Sequence, residues 1–275
     1  MITLGVDIGS LTGKALVLDD DEIRAWDLVL TGPDSAVTGR EVTDRTLEKA
    51  GLSLGDMDYV VSTGYGRIVI PFAGKNVSEI SCHAKGANWF FPSVRTILDM
   101  GGQDCKAIHC DDSGKVTDFV MNDKCAAGAG RSMGIMADLV NVPLEDLGAL
   151  SLECGSDGVP ISSTCVVFAR SEVLGYLRQG VPRSEILAGS CKALTNRVTG
   201  LLKRIGVERD FMISGGIAKN VGVVSRLEKK FDLEPKICFE PQIVGALGAA
   251  VFGRELIQKS AGKRRRSRRR KRTKE

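Results

Sequence analysis

The feature of this sequence that most constrains its fold is a glycine-turn hairpin that occurs twice. In residues 2–19, an apolar strand that carries Asp7 runs into a glycine turn and returns as a second strand that carries Lys14. Residues 96–111 repeat this order, with Asp99 in the place of Asp7. Because a glycine-rich turn between two apolar runs is typical of a β-hairpin, the repeat predicts a duplicated domain with a cleft between its halves.

The remaining periodic segments predict an α/β fold. Apolar residues recur at helical spacing in residues 166–179 and 183–205, and a last helix is expected to begin near Gly245. Further strand-like runs are found at 58–62, 211–214 and 235–239. The second of these runs leads into a Gly-Gly turn that is followed by a helical pattern. Strands mixed with helices in this way are typical of α/β proteins.

The composition excludes several classes of protein. A chain of 275 residues is long enough for one large or two modest domains. No apolar run approaches the roughly 20 residues that are needed to span a membrane, and the N-terminal strand lacks the basic region and apolar core of a signal peptide. Eight cysteines without secretory features argue against a disulfide framework, so a reducing cytoplasm is the expected location.

The C-terminus carries a strongly basic run. Residues 263–275 hold ten Lys or Arg and one Glu, whereas the preceding residues hold 28 Lys or Arg and 33 Asp or Glu. A body of net charge −5 therefore ends in a tail of charge +9. Because like charges without an apolar face do not pack, residues 259–275 are expected to form a disordered, solvated extension. Contact with nucleic acid or another acidic partner through this tail is the alternative.

The glycine turns indicate phosphate chemistry without forming a P-loop. Residues 9–14 have the spacing Gly-x-x-x-Gly-Lys, one residue shorter than a P-loop, and Ala15 stands where a metal-binding Ser or Thr belongs. Without a Cβ, glycine still lets backbone N–H groups approach an anion. Asp7 and Asp99 beside the turns suit Mg²⁺ that bridges nucleotide phosphates. One such turn alone would be ordinary turn chemistry, but two matched turns and a Gly-Gly turn predict a nucleotide site.

Two cysteines lie in unusual surroundings. Cys125 stands among small residues and Cys165 follows a run of hydroxyl residues, and each segment is predicted to open a helix. The positive end of a helix dipole favours a thiolate, which a metal or an iron–sulfur cluster requires. Cys105 and Cys110, on either side of His109, superficially indicate a metal site. On the second strand of a hairpin they point to opposite faces, so they are interpreted as structural.

The other cysteines and one histidine receive simpler interpretations. Cys154, Cys191 and Cys238 are interpreted as small buried residues or as thiols without a role. The same interpretation applies to Cys82, although its surroundings make it a less clear case. His83 is interpreted as a hydrogen-bonded structural histidine that orients a neighbour at most.

The two hairpins resemble the phosphate motifs of the superfamily that contains sugar kinases, heat-shock ATPases and actin. Residues 211–220 resemble the adenosine motif of that superfamily. The resemblance covers residues 1–258 and implies two ribonuclease-H-like domains, with ATP and Mg²⁺ in a cleft between them. The expected domains are residues 1–95 and residues 96–258, the second of which contains both cysteine segments.

A closer resemblance is to the activator ATPases of 2-hydroxyacyl-CoA dehydratases, a family that includes ATPase subunits of benzoyl-CoA reductase. The matching strings are residues 63–67, 79–84, 99–104, 122–128 and 162–165. In this family, two cysteines per subunit ligate one [4Fe–4S] cluster at a twofold interface, and they match Cys125 and Cys165. A cluster of this type needs four thiolates, so two cysteines per chain fit a homodimer with one bridging cluster.

The resemblance implies an ATPase that drives electron transfer. A ferredoxin or flavodoxin would reduce the cluster, and the electron would pass to an iron–sulfur dehydratase or reductase component. Asp7 and Asp99 would hold Mg²⁺, and Gln103 or Asp104 would orient the attacking water. The expected phosphate contacts are Gly9, Ser10, Thr12, Gly101 and Gly102, with Lys14 as a charge partner and Lys106 as a weaker candidate. The expected nucleoside contacts are Gly215, Gly216 and Asn220.

Two positions depart from the family pattern. Arg170 stands where an acidic residue is expected, and Ser132 stands where an aromatic one is expected; both lie close to the cysteine segments. Three alternatives remain open at this point: an ATPase subunit of a benzoyl-CoA reductase or a reductase of another iron–sulfur enzyme, a small-molecule kinase, and an actin-type structural or sensor ATPase. A kinase would need a catalytic Asp near its acceptor hydroxyl but neither cysteine.

Overall fold

The chain forms two units, each of which combines helices with a β-sheet. The computed structural model describes residues 1–122 and 130–272, with side chains described as far as residue 261. Unit 1 contains residues 1–86 and the chain from residue 243 onward, and unit 2 contains residues 87–242. The predicted α/β class is confirmed in both units.

Unit 1 is built on a sheet with the strand order β3-β2-β1-β4-β5. Its strands are β1 (Ile2–Ile8), β2 (Thr12–Asp19), β3 (Glu22–Leu30), β4 (Tyr59–Gly64) and β5 (Lys75–Asn76). Its helices are α1 (Ser35–Ala50), the first part of α2 (Glu79–Phe90) and α8 (Val244–Arg272). Strands β1, β2 and β3 are antiparallel, whereas β4 runs parallel to β1 and β5 runs parallel to β4. This arrangement agrees with the ribonuclease-H-like domain that the resemblance implies.

Local signals set both ends of α1. The side chain of Asp34 precedes the helix and accepts hydrogen bonds from the N–H groups of Ala36 and Val37, which a helix start otherwise leaves without partners. Gly51 ends the helix in the left-handed conformation, with φ 66°, which glycine adopts at little cost. The helix thereby begins and ends where its face can pack on β2 and β3.

Helix α8 packs on strands β1 and β4 of unit 1, although it comes from the far end of the chain. Gly5 in β1 faces the helix so closely that a Cβ there would overlap the backbone carbonyl of Ala246. The sequence analysis assigns residues 96–258 to the second domain. In the structure, residues 243–258 belong to unit 1, because apolar side chains such as Leu247 are buried there. The predicted domain boundary therefore needs this correction.

Helix α8 also continues as far as Arg272. Residues 259–272 therefore extend a helix, in contrast to the disordered extension that the charge run predicts. Lys and Arg are favourable helix formers, and the packed part of α8 supplies the nucleus that an isolated basic run would lack. Residues 273–275 lie outside the described residues. Within the described part of the chain, no helix is long and apolar enough to cross a membrane.

Unit 2 repeats the plan of unit 1 with the strand order β8-β7-β6-β9. Its strands are β6 (Thr96–Met100), β7 (Cys105–Cys110), β8 (Val116–Met121) and β9 (Phe211–Ser214). Its helices are the end of α2, α3 (Gly130–Val140), α4 (Leu147–Leu150), α5 (Val166–Arg178), α6 (Arg183–Ile205) and α7 (Val221–Phe231). Strands β6, β7 and β8 are antiparallel, and β9 runs parallel to β6. The shared order of the first four strands in each sheet agrees with the predicted duplication.

The core of unit 2 lies between its sheet and helices α3, α5, α6 and α7. Helices α5 and α6 begin and end within a residue of their predicted bounds. The strand predicted for residues 235–239 is reduced to a single bridge, in which Lys236 pairs with Met212. Two hydrogen bonds form this bridge, from the Lys236 N–H group to Phe211 O at 2.8 Å and from the Ile213 N–H group to Lys236 O at 3.0 Å.

Asp27 connects strand β3 to helix α1 through two ion pairs in which the carboxylate is buried and the two cations, Arg45 and Lys49, are about half exposed. Its carboxylate accepts a hydrogen bond from Arg45 Nε at 2.8 Å and lies 3.1 Å from Lys49 Nζ. The N–H group of Leu28 donates a further hydrogen bond at 2.8 Å. Burial alone raises the pKa of this carboxyl, but the hydrogen bonds from Lys49, Leu28 and Arg45 outweigh burial and hold the pKa below its usual range.

We expect Asp27→Asn to make unit 1 less sensitive to acid. Since the folded-state pKa of Asp27 lies below the unfolded value of about 3.9, its stabilisation is present above that pH and is lost as the pH falls through the folded value. At neutral pH the substitution should cost about 1–3 kcal/mol, and the difference from wild type should shrink below about pH 4. Urea unfolding at a series of pH values measures this.

A matched control is Asp44→Asn on the exposed side of the same helix. Asp44 lies 3.8 Å from Arg40 in an exposed ion pair, so this substitution should change stability by less than about 1 kcal/mol. A destabilisation by Asp27→Asn that stays constant from neutral to acidic pH would contradict the electrostatic account.

Candidate phosphate and cysteine sites

The first glycine turn, in unit 1, places a lysine against the predicted magnesium carboxylate. Asp7 at the end of β1 pairs across the hairpin with Lys14 of β2. Lys14 Nζ lies 3.3 Å from Asp7 Oδ2, and Asp7 is only 4% exposed. The turn is closed by a hydrogen bond from the Gly9 N–H group to Thr12 O at 3.0 Å. Ser10 and Thr12 are half-buried in the same turn.

The second turn, in unit 2, has the same construction. Asp99 pairs across the hairpin with Lys106, and the Gly101 N–H group donates to Asp104 O at 2.9 Å, as Gly9 donates to Thr12 in unit 1. The two turns therefore share one backbone geometry and one cross-strand Asp–Lys pair. Their lysines stand at the same spacing of seven residues after the aspartate.

A buried ionic group distinguishes the second turn. Lys106 Nζ lies 2.7 Å from Asp104 Oδ1 and 3.5 Å from Asp99 Oδ2. All three residues are 3% exposed. Because both carboxylates contact this ammonium group away from water, the lysine offsets part of their negative charge. The sequence analysis ranks Lys106 as a weaker candidate, whereas in the structure it contacts both buried carboxylates of this turn. Gly102 and Gln103, in the same turn, are half-buried.

The Gly-Gly turn of unit 2 lies beside Asp99. Ser214 Oγ donates a hydrogen bond to Asp99 Oδ1 at 3.1 Å. Gly215 has φ 84°, and a Cβ there would lie 3.0 Å from Asp99 Oδ1 and closer still to a backbone carbonyl, so no side chain fits. Gly216 opens the short 3-10 helix Gly216–Lys219. Gly215 is buried and its N–H group donates to Pro241 O at 2.9 Å, whereas Gly216 is exposed, so the backbone that the turn presents to solvent is that of Gly216.

Asn220 occupies a different position from the other predicted contacts. Its side-chain oxygen accepts a hydrogen bond from the Val223 N–H group at 3.0 Å and caps helix α7. Cys191 Sγ lies 3.8 Å from the same oxygen. The side chain of Asn220 therefore has a structural partner at the start of α7, and any contact with a nucleoside through this oxygen would compete with the cap.

Asp7 has further neighbours at the first turn of α8. A Cβ on Gly245 would lie 3.0 Å from both Asp7 Oδ2 and His83 Nε2. His83 is buried, as its structural interpretation predicts, but its place beside Asp7 also makes it part of the site. Burial raises the pKa of the adjacent Cys82 thiol to about 12, so this thiol stays protonated at neutral pH and is a poor metal ligand.

Cys165 stands immediately before helix α5, as predicted. It is the residue that precedes the first turn, in an extended conformation, and its thiol is free and partly exposed. Its loop is held by side chains from two helices: the Ser162 N–H group donates to Glu172 Oε2 at 2.7 Å, and Arg197 Nη1 donates to Ser163 O at 2.9 Å. These contacts anchor the loop that carries the thiol to helices α5 and α6.

The surroundings of Cys165 include exposed apolar side chains. Val167 and Phe168, in the first turn of α5, are 63% and 65% exposed. Arg170 in the same helix is also exposed, whereas Ser132 in α3 is buried. Cys125, the other predicted ligand, lies outside the described residues, as do residues 123–129 as a whole.

The remaining cysteines do not form a metal site in the described part of the chain. Cys105 and Cys110 are both buried in β7, and burial raises the pKa of the Cys105 thiol. Burial also raises the pKa of Cys238, to about 11. Across residues 1–122 and 130–272, no three His, Cys, Asp or Glu side chains come together as metal ligands. A metal centre built within one chain is therefore not found among these residues.

The chemical groups of the two turns and of the Gly-Gly turn are suited to binding phosphate and a divalent cation. Each turn combines glycine backbone, which an anion approaches closely, with a buried carboxylate that suits Mg²⁺. The sequence analysis names the carboxylates and the glycines of these turns, and the structure adds Lys106, His83 and Ser214 as side chains beside the carboxylates. The seven-residue spacing that Lys106 shares with Lys14 is the signal that identifies it.

Comparison with known proteins finds one family along nearly the whole chain. The model of the BadF/BadG/BcrA/BcrD ATPase family matches residues 4–253. The activator of lactoyl-CoA dehydratase from Anaerotignum propionicum is 45% identical over 260 residues, which cover 94% of this chain and 100% of that protein. The (R)-2-hydroxyglutaryl-CoA dehydratase activating ATPase of Acidaminococcus fermentans is 42% identical over 252 residues, or 91% of this chain and 96% of that protein.

A solved structure is also similar to this chain along nearly its whole length. The activator of the 2-hydroxyisocaproyl-CoA dehydratase from Clostridium difficile, with bound ADPNP, superposes with a TM-score of 0.90 at 39% identity. The match covers 96% of this chain and 98% of that one. The similarity therefore extends over both units.

Proposed function

Because this chain belongs to the BadF/BadG/BcrA/BcrD ATPase family, we propose that it is an ATP-dependent activator that supplies electrons to a 2-hydroxyacyl-CoA dehydratase. The observation that carries the proposal is the position of Cys165, at the start of a helix in the same unit as the Asp99 phosphate turn. The names of three curated relatives support the dehydratase as the partner. The ATPase activity follows from the family.

The proposed cofactor is one [4Fe–4S] cluster that is shared by two copies of the chain. Each copy would contribute Cys125 and Cys165, so that a twofold dimer supplies the four thiolates required. A partly exposed thiol at a helix start fits this role, because it can meet a ligand outside its own unit. The exposed Val167 and Phe168 beside it support an apolar contact at the same place. When bound, the cluster would serve as a one-electron carrier.

ATP and Mg²⁺ would be held by the two turns. Asp7 and Asp99 are the proposed carboxylates for Mg²⁺, and Lys14 and Lys106 would balance the charge of these carboxylates and of the phosphates. The glycine backbone around Gly9, Gly101 and Gly215 would lie against the nucleotide, while the N–H groups of these three residues keep their hydrogen bonds to Thr12 O, Asp104 O and Pro241 O. The predicted contacts through Ser10, Thr12, Gly102 and Gly216 stay part of this proposal.

The activator would work by differential binding. ATP drives a conformational change only if it binds one arrangement of the protein better than another. A ferredoxin or flavodoxin is the proposed electron donor, and the dehydratase, an iron–sulfur enzyme in this proposal, is the acceptor. The proposed location is the reducing cytoplasm, which suits the free thiols found among the described cysteines.

The test of this function is iron content together with ATP turnover. Protein purified without oxygen should be a brown dimer with about four irons per two chains, and it should hydrolyse ATP. A colourless monomer whose ATP turnover depends on a sugar would refute the proposal in favour of a small-molecule kinase. Reconstitution with a dehydratase should then restore ATP-dependent dehydration.

We expect Gln103→Ala to lower kcat for ATP hydrolysis by about 100-fold or more while KM changes little. Asp104 is buried in its ion pair with Lys106, whereas Gln103 is partly exposed in the same turn. Gln103 is therefore our choice for the residue that orients the attacking water. Steady-state ATPase assays measure the effect, with the exposed Gln179→Ala as a control that should behave as wild type. A larger loss of kcat in Asp104→Asn than in Gln103→Ala would reverse the choice.

We expect truncation after Ala261 to leave the ATPase activity and the iron content within about twofold of wild type. The removed residues include the basic end of α8, and this end has no place in the proposed chemistry. A polybasic segment acts mainly through salt-sensitive attraction to polyanions. Parallel ATPase and iron assays at two salt concentrations check this, and a tenfold loss of activity at either one would assign the tail a role in the core function.

A further inference from the structure

Both oxygens of the Asp7 carboxylate lie against glycines of unit 1. A Cβ on Gly64, at the end of β4, would overlap Asp7 Oδ1, and a Cβ on Gly245, near the start of α8, would lie 3.0 Å from Asp7 Oδ2. Gly64 has φ 81°, a conformation that favours glycine, whereas the backbone of Gly245 is not left-handed. At residue 245, the requirement for glycine therefore comes from the space beside Oδ2.

The imidazole of His83 borders the same space. A Cβ on Gly245 would also lie 3.0 Å from His83 Nε2, so Nε2 and Asp7 Oδ2 are at most about 6 Å apart, close enough for a contact that is direct or bridged by one water. His83 is 7% exposed and follows the fully buried Cys82 in α2. Because close packing restricts a buried ring, the position of Nε2 beside Asp7 is well defined.

The other side chain at Asp7 Oδ2 is flexible and charged. Lys14 Nζ lies 3.3 Å from this oxygen, at the end of a four-carbon stem. Mg²⁺ would repel the ammonium group and phosphate oxygens would attract it, so nucleotide binding would draw it away from Oδ2. A neutral imidazole donates a hydrogen bond without adding charge that a cation must overcome. Of these two side chains, His83 is the one suited to hold the carboxylate while Mg²⁺ binds.

We propose that His83 is a positioning residue that holds the Asp7 carboxylate in the orientation that binds Mg²⁺, and that Gly245 leaves the space for this contact. The proposal rests on the proposed function, in which Asp7 is a carboxylate for the Mg²⁺ of a bound nucleotide. His83 acts through Asp7 and touches neither the metal nor the phosphates. Removing a group that supports a metal-binding side chain in this way typically costs about 10- to 100-fold in metal affinity.

The test measures the Mg²⁺ concentration that half-saturates the Mg²⁺-dependent binding of ADPNP, by calorimetry on the full-length, anaerobically purified protein. His83→Ala should raise this concentration by about 10- to 100-fold, while the weaker ADPNP binding in EDTA stays within about twofold of wild type. In ATPase assays, the KM for Mg²⁺ should rise more than kcat falls. A general loss of structure would instead weaken ADPNP binding with and without Mg²⁺ alike.

Two further substitutions of His83 separate the donor atom from the volume of the ring. In His83→Gln, the side-chain amide can place an N–H donor near the position of Nε2, whereas the shorter side chain in His83→Asn does not reach it. His83→Gln should therefore stay within about threefold of the wild-type Mg²⁺ requirement, and His83→Asn should show the loss expected for His83→Ala. This pair decides the outcome if His83→Ala does not fold.

Gly245→Ala tests the space between the two groups. It adds a methyl group 3.0 Å from both of them, in a helix where alanine is otherwise favourable. The Mg²⁺ requirement should rise by about tenfold or more, although His83 and Asp7 are both present. One control is Gly253→Ala in the same helix, where a Cβ would lie 3.5 Å from Thr3. The other is His109→Ala in unit 2, which removes the second histidine of the chain. Both controls should keep the wild-type requirement.

A wild-type Mg²⁺ requirement in a folded His83→Ala or Gly245→Ala would overturn the proposal. A loss in His83→Gln as large as that in His83→Asn would also overturn it. Neither outcome bears on whether the dimer holds iron. Conversely, protein without iron would refute the proposed function, and the Mg²⁺ titration would still report on His83.

Discussion

Cys165→Ala should lower the iron content of anaerobically purified protein from about four irons per two chains to nearly none. The dimer would keep only the two Cys125 thiolates, and two ligands do not hold a cluster that needs four. Nucleotide binding should persist, because the Cys165 loop is anchored by Glu172 and Arg197 and not by a phosphate turn. Iron analysis, the absorbance of the brown protein and ADPNP binding together measure the effect.

The matched control is Cys154→Ala, in the same unit. The Cys154 thiol is partly exposed and lies 3.3 Å from Ser156 O, where it has no place in the proposed cluster. This variant should retain the wild-type iron content. Iron that survives in Cys165→Ala but is lost in Cys154→Ala would move the metal site away from the start of α5.

Lys106→Met should be the most destabilising single substitution among the described site residues. It would take from the buried Asp99 and Asp104 the ammonium group that both contact, and removal of one partner from a buried ion pair typically costs about 3–5 kcal/mol. The methionine fills a similar volume, so the loss reports charge more than packing. Urea unfolding of unit 2, followed by a probe in that unit, measures the change in the free energy of unfolding.

A second substitution tests whether the loss of stability in Lys106→Met is electrostatic in origin. Asp104→Asn introduced into Lys106→Met removes one of the two carboxylates that lose their contact with the Lys106 ammonium group, and it should recover part of the lost stability. Lys115→Met, in the exposed turn between β7 and β8, is the control and should change stability by less than about 0.5 kcal/mol. A loss below about 1 kcal/mol in Lys106→Met would mean that the buried group is not held by its charge.

The parts of the fold that local signals determine are predictable from the sequence. The two hairpins follow from apolar strands on either side of glycine, and the helix after Cys165 follows from apolar residues at helical spacing. The α/β class and the nucleotide chemistry rest on these local patterns. The family resemblance adds the proposed role of Cys165, whose position before α5 agrees with the predicted helix start.

The parts of the fold that depend on tertiary contacts cannot be predicted from the sequence in this way. Helix α8 returns to unit 1 because Gly5 admits its backbone, and no local pattern states which sheet a helix will cover. Asn220 reads as a nucleoside contact, yet its oxygen caps α7. The hydrogen bond that the Asn122 side chain accepts from the Cys105 N–H group is likewise a tertiary contact that no local pattern states.

The return of α8 to unit 1 also sets the order in which the chain matures on the ribosome. All residues of unit 2 have been synthesised once the ribosome passes residue 242. Strands β1 and β4 of unit 1, by contrast, cannot be covered until the residues of α8 have been synthesised. At about 5–20 residues per second, residues 243–258 take roughly one to three seconds to synthesise. Throughout that interval, and until the helix leaves the exit tunnel, the strand face around Gly5 stays open to solvent and to chaperones. Unit 1 is therefore the first unit whose synthesis begins and the last whose residues are all available for folding.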